Sequence, residues 1–209
     1  HHNRKDFQFL REMWNDEIDS VEGEFRDIGH WLTHDAYRQW CSTFVVVSNH
    51  DQAINNWLAD PAGLYDPPNL QLWLSENLSK ARFKGYHPFA SMLRRSCEMP
   101  CGYAPRKPRV LLEDESYKIL GQIEAGLHGH LGPNGSRGAP RNLKTVGKAN
   151  TGHTHSAGIH EGVYTAGVLG RLDMGYNKGP SSWSHSSVVT YPNAKRAVLT
   201  HNGVGWWRS

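Results

Sequence analysis

Three short runs in the 209-residue chain carry residue types that ligate metals and handle phosphate. They are Ser48-Asn49-His50-Asp51, Gly126-Leu127-His128-Gly129-His130 and Gly152-His153-Thr154-His155. Asn and His suit borderline divalent metals such as manganese, iron, zinc or nickel. A His-x-His spacing at a strand end lets both imidazoles approach one region. Neighbouring glycines leave room for a metal or a phosphate close to the backbone. Taken singly the runs are weak, because an isolated His-x-His is more often a surface or structural pair and Asn-His-Asp is commonplace. Their succession, each at a strand-to-loop transition, is specific. Of the 13 His in the chain, five fall inside these runs.

The charge distribution points the same way. The net charge is only +3, but it hides an asymmetry. Residues 1–35 hold four Lys/Arg and nine Asp/Glu, whereas residues 131–200 hold eight Lys/Arg and two Asp/Glu. The His-rich part is therefore also the basic part, which suits a site that binds metal and phosphate. Other classes are excluded. No window approaches the roughly 18 uninterrupted apolar residues of a membrane-spanning helix. The polar N-terminus carries no secretory signal. Three Cys form no dense disulfide framework and fit a reducing compartment, the cytoplasm.

The elements that must position these residues read as α/β. Phe7, Leu10, Trp14, Ile18, Val21, Phe25, Ile28 and Leu32 recur in steps of three and four, predicting an amphipathic helix or two, with a break or kink near Gly23. Residues 43–47 read as a buried central strand that delivers Asn49, His50 and Asp51 at its carboxyl end, where ligands of α/β sheets tend to bind. A helix follows through Ile54, Trp57 and Leu58, and further helices are expected over 69–81 and 88–97. Pro61, Pro67 and Pro68 bracket a loop. A proline-rich connector covers 99–109. Strands are expected at 110–112, 117–123, 162–166, 187–191 and 197–200. Residues 132–148 form a Gly/Arg/Asn-rich loop with one helical turn.

The order Asn-His-Asp, then His-Gly, then Gly-His-x-His resembles the calcineurin-like metallophosphoesterases, with Ser48 replacing the usual Gly. The resemblance runs from about residue 43 to residue 166. It implies a layered α/β/β/α sandwich with mixed sheets and a centre of two divalent metal ions, manganese first, with iron, zinc, nickel or magnesium as alternatives. Asn49, His128 and His153 resemble the ligands of one metal, and His155 a ligand of the other. His50 resembles the residue that contacts the phosphate and assists the leaving group, with Asp51 orienting it. Such a centre holds its metals about 3.5–4 Å apart and activates a water against a polarised phosphoryl group. His130 stays open between an outer role, a substrate contact and the ligand position itself. The His-Gly pair favours His128 as ligand, leaving His130 with the substrate.

Two of the family's five motifs, D-x-H and Gly-Asp, do not occur in the chain. They precede Asn-His-Asp in the family, and here only 48 residues come before Asn49, reading as helix. The expectation is the C-terminal portion of a single metallophosphoesterase domain, with 1–40 a helical cover and 41–209 the motif-bearing part. Its N-terminal strands would be missing, and a preceding segment or second chain would complete the metal site. His1 and His2 read as native residues or as a tag remnant. Cys97 and Cys101 read as ordinary thiols more readily than as half a zinc site.

Arg137, Arg141 and Lys144, with Lys148 and nearby Asn residues, could grip a phosphodiester backbone. Trp183, His185 and Tyr191 could stack a base. The run from Gly129 to Trp183 also resembles a group of phage DNA-transfer and host-DNA-degrading proteins of the same superfamily, which implies a DNase working in the host cytoplasm. The first reading is thus a two-metal nuclease with DNA as partner. The alternatives are a phosphomonoesterase or small-molecule phosphodiesterase, and a catalytically incomplete module that binds DNA or a partner. The oligomeric state is open.

Overall fold

The computed structural model describes residues 20–98, 107–174 and 179–203 and the backbone of 206–208. The expectations for Phe7, Leu10, Trp14 and Ile18, for His1 and His2, for the Pro100–Pro105 part of the connector and for Cys101 lie outside the described residues. The chain groups into two compact units, His1–Val45 with Asn49–Val110, and Val46–Ser48 with Leu111–Ser209. Among the described residues no helix is long and apolar enough to cross a membrane.

The first unit is helical. Helix α1 (Val21–His30) starts at Ser20, which is extended (φ −128°) and accepts the Gly23 N–H on Oγ at 2.9 Å. That side chain satisfies one of the amides a helix start leaves unpaired. Glu22 and Glu24 follow in the first turn, where carboxylates meet the positive end of the helix dipole. Gly23, expected to mark a break or kink, instead belongs to the first turn of this helix. The helix widens into a π-turn at Trp31–Asp35. Helices α2 (Ala53–Ala59), α3 (Leu70–Arg82) and α4 (Pro88–Ser96) follow. They match the expected helices, while the prolines at 61 and 67 open single 3₁₀ turns instead of a plain loop.

Val21, Phe25, Ile54, Leu58 and Leu93 are buried, and the Phe25 and Phe89 rings lie 5.6 Å apart where α1 meets α4. Two polar devices sit in this apolar setting. Asn69 accepts the Val21 N–H at 2.7 Å while donating to Asp66. Buried Glu76 takes the Arg95 guanidinium and, at 2.7 Å, the Tyr86 hydroxyl. A buried carboxylate needs such partners to offset its lost hydration.

Strand β1 (Phe44–Val46) pairs with β2 (Arg109–Leu111) in a two-stranded sheet. All three residues of β1 are only half-buried. The expectation of a buried central strand is therefore corrected. The apolar run fits a strand, but among the described residues it pairs with one strand, β2.

The second unit is built from short strands. Its larger sheet has the order β3-β4-β5-β7-β6, from Lys118–Ile119, Ile123–Glu124, Ala149–Thr151, Val163–Thr165 and Gly158–His160. β4-β5 and β5-β7 are parallel, while β3-β4 and β6-β7 are antiparallel, so the sheet is mixed. The expected single strand over 117–123 is a hairpin, because Leu120 (φ 53°) and Gly121 (φ 70°) turn the chain through the left-handed region. Leu143, from the short helix α5 (Pro140–Leu143), packs with Ala149 and Val163 as a small core.

A second sheet has the order β10-β9-β8, from Trp206–Arg208, Arg196–His201 and His185–Thr190. Arg196 ties it to the first. Its guanidinium donates to Ala149 O (2.7 Å), Asn150 Oδ1 (3.0 Å) and Gly162 O (2.7 Å) and lies 4.0 Å from the Tyr164 ring centre. The protein is thus mixed α/β with several sheets.

Candidate metal centre

Two of the three motif runs meet in the second unit. Gly126–His130 leaves the end of β4, and Gly152–His155 leaves the end of the parallel neighbour β5. Parallel strands deliver their carboxyl ends to the same edge, which is where α/β sheets gather ligands. The backbone then locks the two runs together, because Gly152 N–H and His153 N–H both donate to His128 O, at 3.0 and 3.1 Å.

The result is a trio of imidazoles. Ring centres lie 5.2 Å apart for His128–His153, 5.5 Å for His128–His130 and 6.0 Å for His130–His153. His128 Nε2, His130 Nδ1 and His153 Nδ1 are all buried, and among the described residues His130 Nδ1 has no hydrogen-bond partner. The other nitrogen of His130, Nε2, lies 2.9 Å from Glu113 Oε1. Gly129, between the two His, has φ +103°, a conformation that side chains rarely adopt and that brings both neighbours into the cluster.

Two supports hold the first run. Glu124, buried at the end of β4, accepts Gly126 N–H (2.7 Å), Tyr117 N–H (3.1 Å) and the Ser116 hydroxyl. Burial alone would raise its carboxyl pKa, but these bonds outweigh that and hold it below the usual carboxylate range. The other support is Gly138, whose N–H donates to His130 O at 2.8 Å. A Cβ there would stand 1.9 Å from Gly129 O, so only glycine allows this approach.

The remaining motif residues are placed as follows. His155 (φ 58°) packs edge-on against Trp183, with ring centres 4.4 Å apart. Asn49, His50 and Asp51 belong to the first unit and form the turn between β1 and α2, where His50 O accepts Ala53 N–H at 3.1 Å. Asn49 Oδ1 is buried with no hydrogen-bond partner among the described residues, and His50 is exposed. On the basic loop, Arg137 and Arg141 are exposed, while Lys144 pairs with Glu161 at 3.1 Å. Of the aromatic candidates, Trp183 is committed to His155, and His185 Nε2 donates to Gly170 O at 2.9 Å.

The spacing reading missed Glu113, Glu124 and Gly138. A lone Glu in a turn carries no spacing signal, and Gly138 is one glycine among several in its loop.

Among the described residues no group of three or more His, Cys, Asp or Glu side chains stands arranged to hold a metal ion. The trio nevertheless fits a borderline divalent metal in donor type and burial. In particular, a bare buried nitrogen such as His130 Nδ1 is an atom that a cation would satisfy.

Comparison with known proteins adds one relative. The chain is 40% identical over 208 residues to "Protein A1" of Escherichia phage T5, an alignment that covers 95% of this chain. The chain spans 36% of that protein's length. This similarity supports a phage origin. No family model matches the chain, and no solved structure matches it.

Proposed function

We propose that this phage-related chain is the motif-bearing portion of a calcineurin-like metallophosphoesterase that cleaves DNA with two divalent ions, manganese first. The observation that carries the reading is the His128, His130 and His153 cluster, built where the two His-bearing runs leave neighbouring parallel strands. A spacing pattern that arose by chance would have no reason to bury its imidazoles together.

By motif order, His128 and His153 would hold one ion and His155 would contribute to the other. Such ions supply positive charge that polarises a phosphoryl oxygen and lowers the pKa of water. The chain's own residues do the rest. Exposed Arg137 and Arg141 lie along the phosphodiester backbone with Lys144, which exchanges Glu161 for a phosphate. The basic balance of residues 131–200 favours a nucleic acid over a small phosphomonoester.

The test is turnover by the full-length protein of plasmid DNA and of p-nitrophenyl phosphate, with manganese, magnesium or EDTA. Manganese-dependent nicking abolished by EDTA is expected. Hydrolysis of the small ester with intact plasmid would replace the nuclease reading by the phosphomonoesterase one. No turnover of either would leave a binding module.

A further inference from the structure

We infer that His130, held by Glu113, is a third imidazole donor of the His128–His153 cluster and that Nδ1 is its ligating atom. The inference rests on the metal-centre reading above and extends it to two residues that the motif pattern does not assign.

The argument starts from the hydrogen bond between His130 Nε2 and Glu113 Oε1 at 2.9 Å. An ionised carboxylate only accepts, so Nε2 carries the proton of this bond. In a neutral ring that leaves Nδ1 as a bare lone pair. Nδ1 is buried and, among the described residues, has no hydrogen-bond partner. Buried polar atoms are nearly always partnered, and an exception points to a ligand or a functional role. The ring's neighbours identify the ligand class, because His128 and His153 lie 5.5 and 6.0 Å away by ring centres and bring buried nitrogens of their own. Clustered imidazole nitrogens select a borderline divalent cation.

The carboxylate fits the same picture. Metal-ligating histidines characteristically give their second ring nitrogen to a carboxylate or carbonyl, which fixes the tautomer and raises ligand basicity. Glu113 is then a positioning residue that acts through His130. The reading of His130 as a substrate contact sits poorly with this environment. Its side chain is only 12% exposed, and its unsatisfied nitrogen is the buried one.

The experiment compares manganese affinity of the full-length protein with that of His153→Ala, His130→Ala, Glu113→Ala and Glu113→Gln, read by electron paramagnetic resonance of free manganese. Glu113→Ala should weaken binding on the order of 10–100-fold. His130→Ala should weaken it at least as much. Glu113→Gln keeps a neutral acceptor in place and should fall between Glu113→Ala and wild type. A second readout needs no variant, since ¹⁵N chemical shifts of His130 in metal-free protein should report the Nε2–H tautomer. If His153→Ala lowers affinity while His130→Ala and Glu113→Ala bind as wild type, this inference fails and the metal-centre reading stands. Wild-type binding by His153→Ala would overturn both. An Nδ1–H tautomer would overturn the role of Glu113.

Discussion

The two units hold themselves together by different means. The helical unit is packed: Phe25, Ile54, Leu58 and Leu93 are buried side chains, and the deeply buried carboxylate of Glu76 is supplied with partners. The histidine-bearing unit also buries apolar side chains, among them Ile123, Val163 and Val198, but its larger sheet is made of strands of only two or three residues. Around its motifs, order comes from backbone geometry. His128 O receives two amides, Glu124 receives three donors and Gly138 lies against Gly129. Packing tolerates exchange among apolar residues of like volume, whereas backbone hydrogen bonds and glycine approaches do not. The unit proposed to do chemistry is the one held by the less forgiving means, as a site that must fix its ligands requires.

That contrast can be broken. Leu93→Ala should cost about 2–5 kcal/mol, as large-to-small core changes do. Hydrogen exchange should speed up in α1, α2 and α4. An equal acceleration across 149–165 would erase the distinction. Gly138→Ala should cost about 1–3 kcal/mol through overpacking. Unlike Leu93→Ala, it should also weaken manganese binding in the folded protein, because the clash falls on the backbone of Gly129 and His130. Unchanged metal affinity would show that the loop does not hold the cluster.

Glu124→Gln tests the same support through pH. Because the folded state holds this carboxyl below its ordinary value of 4.5, its stabilisation is present above that value and is lost as pH falls through the lower folded one. Near neutral pH the variant should lose about 1–2 kcal/mol, in the range of a hydrogen-bonded buried charge. The gap to wild type should close in acid. A gap independent of pH would mean that the carboxylate's charge does not matter. Lys144→Ala should do least to stability, under about 1 kcal/mol, since its pair with Glu161 is half-exposed. In the nuclease reading it should reduce the salt dependence of DNA binding by about one phosphate contact.

Much of the helical unit was readable in advance. The recurrence of Ile54, Trp57 and Leu58, and of Pro88 at a helix start, is a local signal that packing then confirms. The failures came where local chemistry is ambiguous. The run at Phe44–Val46 has the composition of a core strand, but composition does not say how many strands will flank it. The 117–123 run reads as one strand because no Asn-Gly marks the turn, and Leu120 adopts its left-handed conformation without advertising it. Short strands such as Ala149–Thr151 and Gly158–His160 are too brief to carry a period.

For the proposed site, the sequence alone determined the candidate ligand types, their grouping into three runs and the basic setting, since these depend only on residue identity and order. Tertiary structure decided which histidines share a neighbourhood, bringing His130 in beside His128 and His153 and setting His155 against Trp183. It also chose Glu113, 17 residues away, as the partner of His130. The physical reason is that a donor's value at a site depends on which of its atoms is bare and buried. That is settled by distant backbone closing around it.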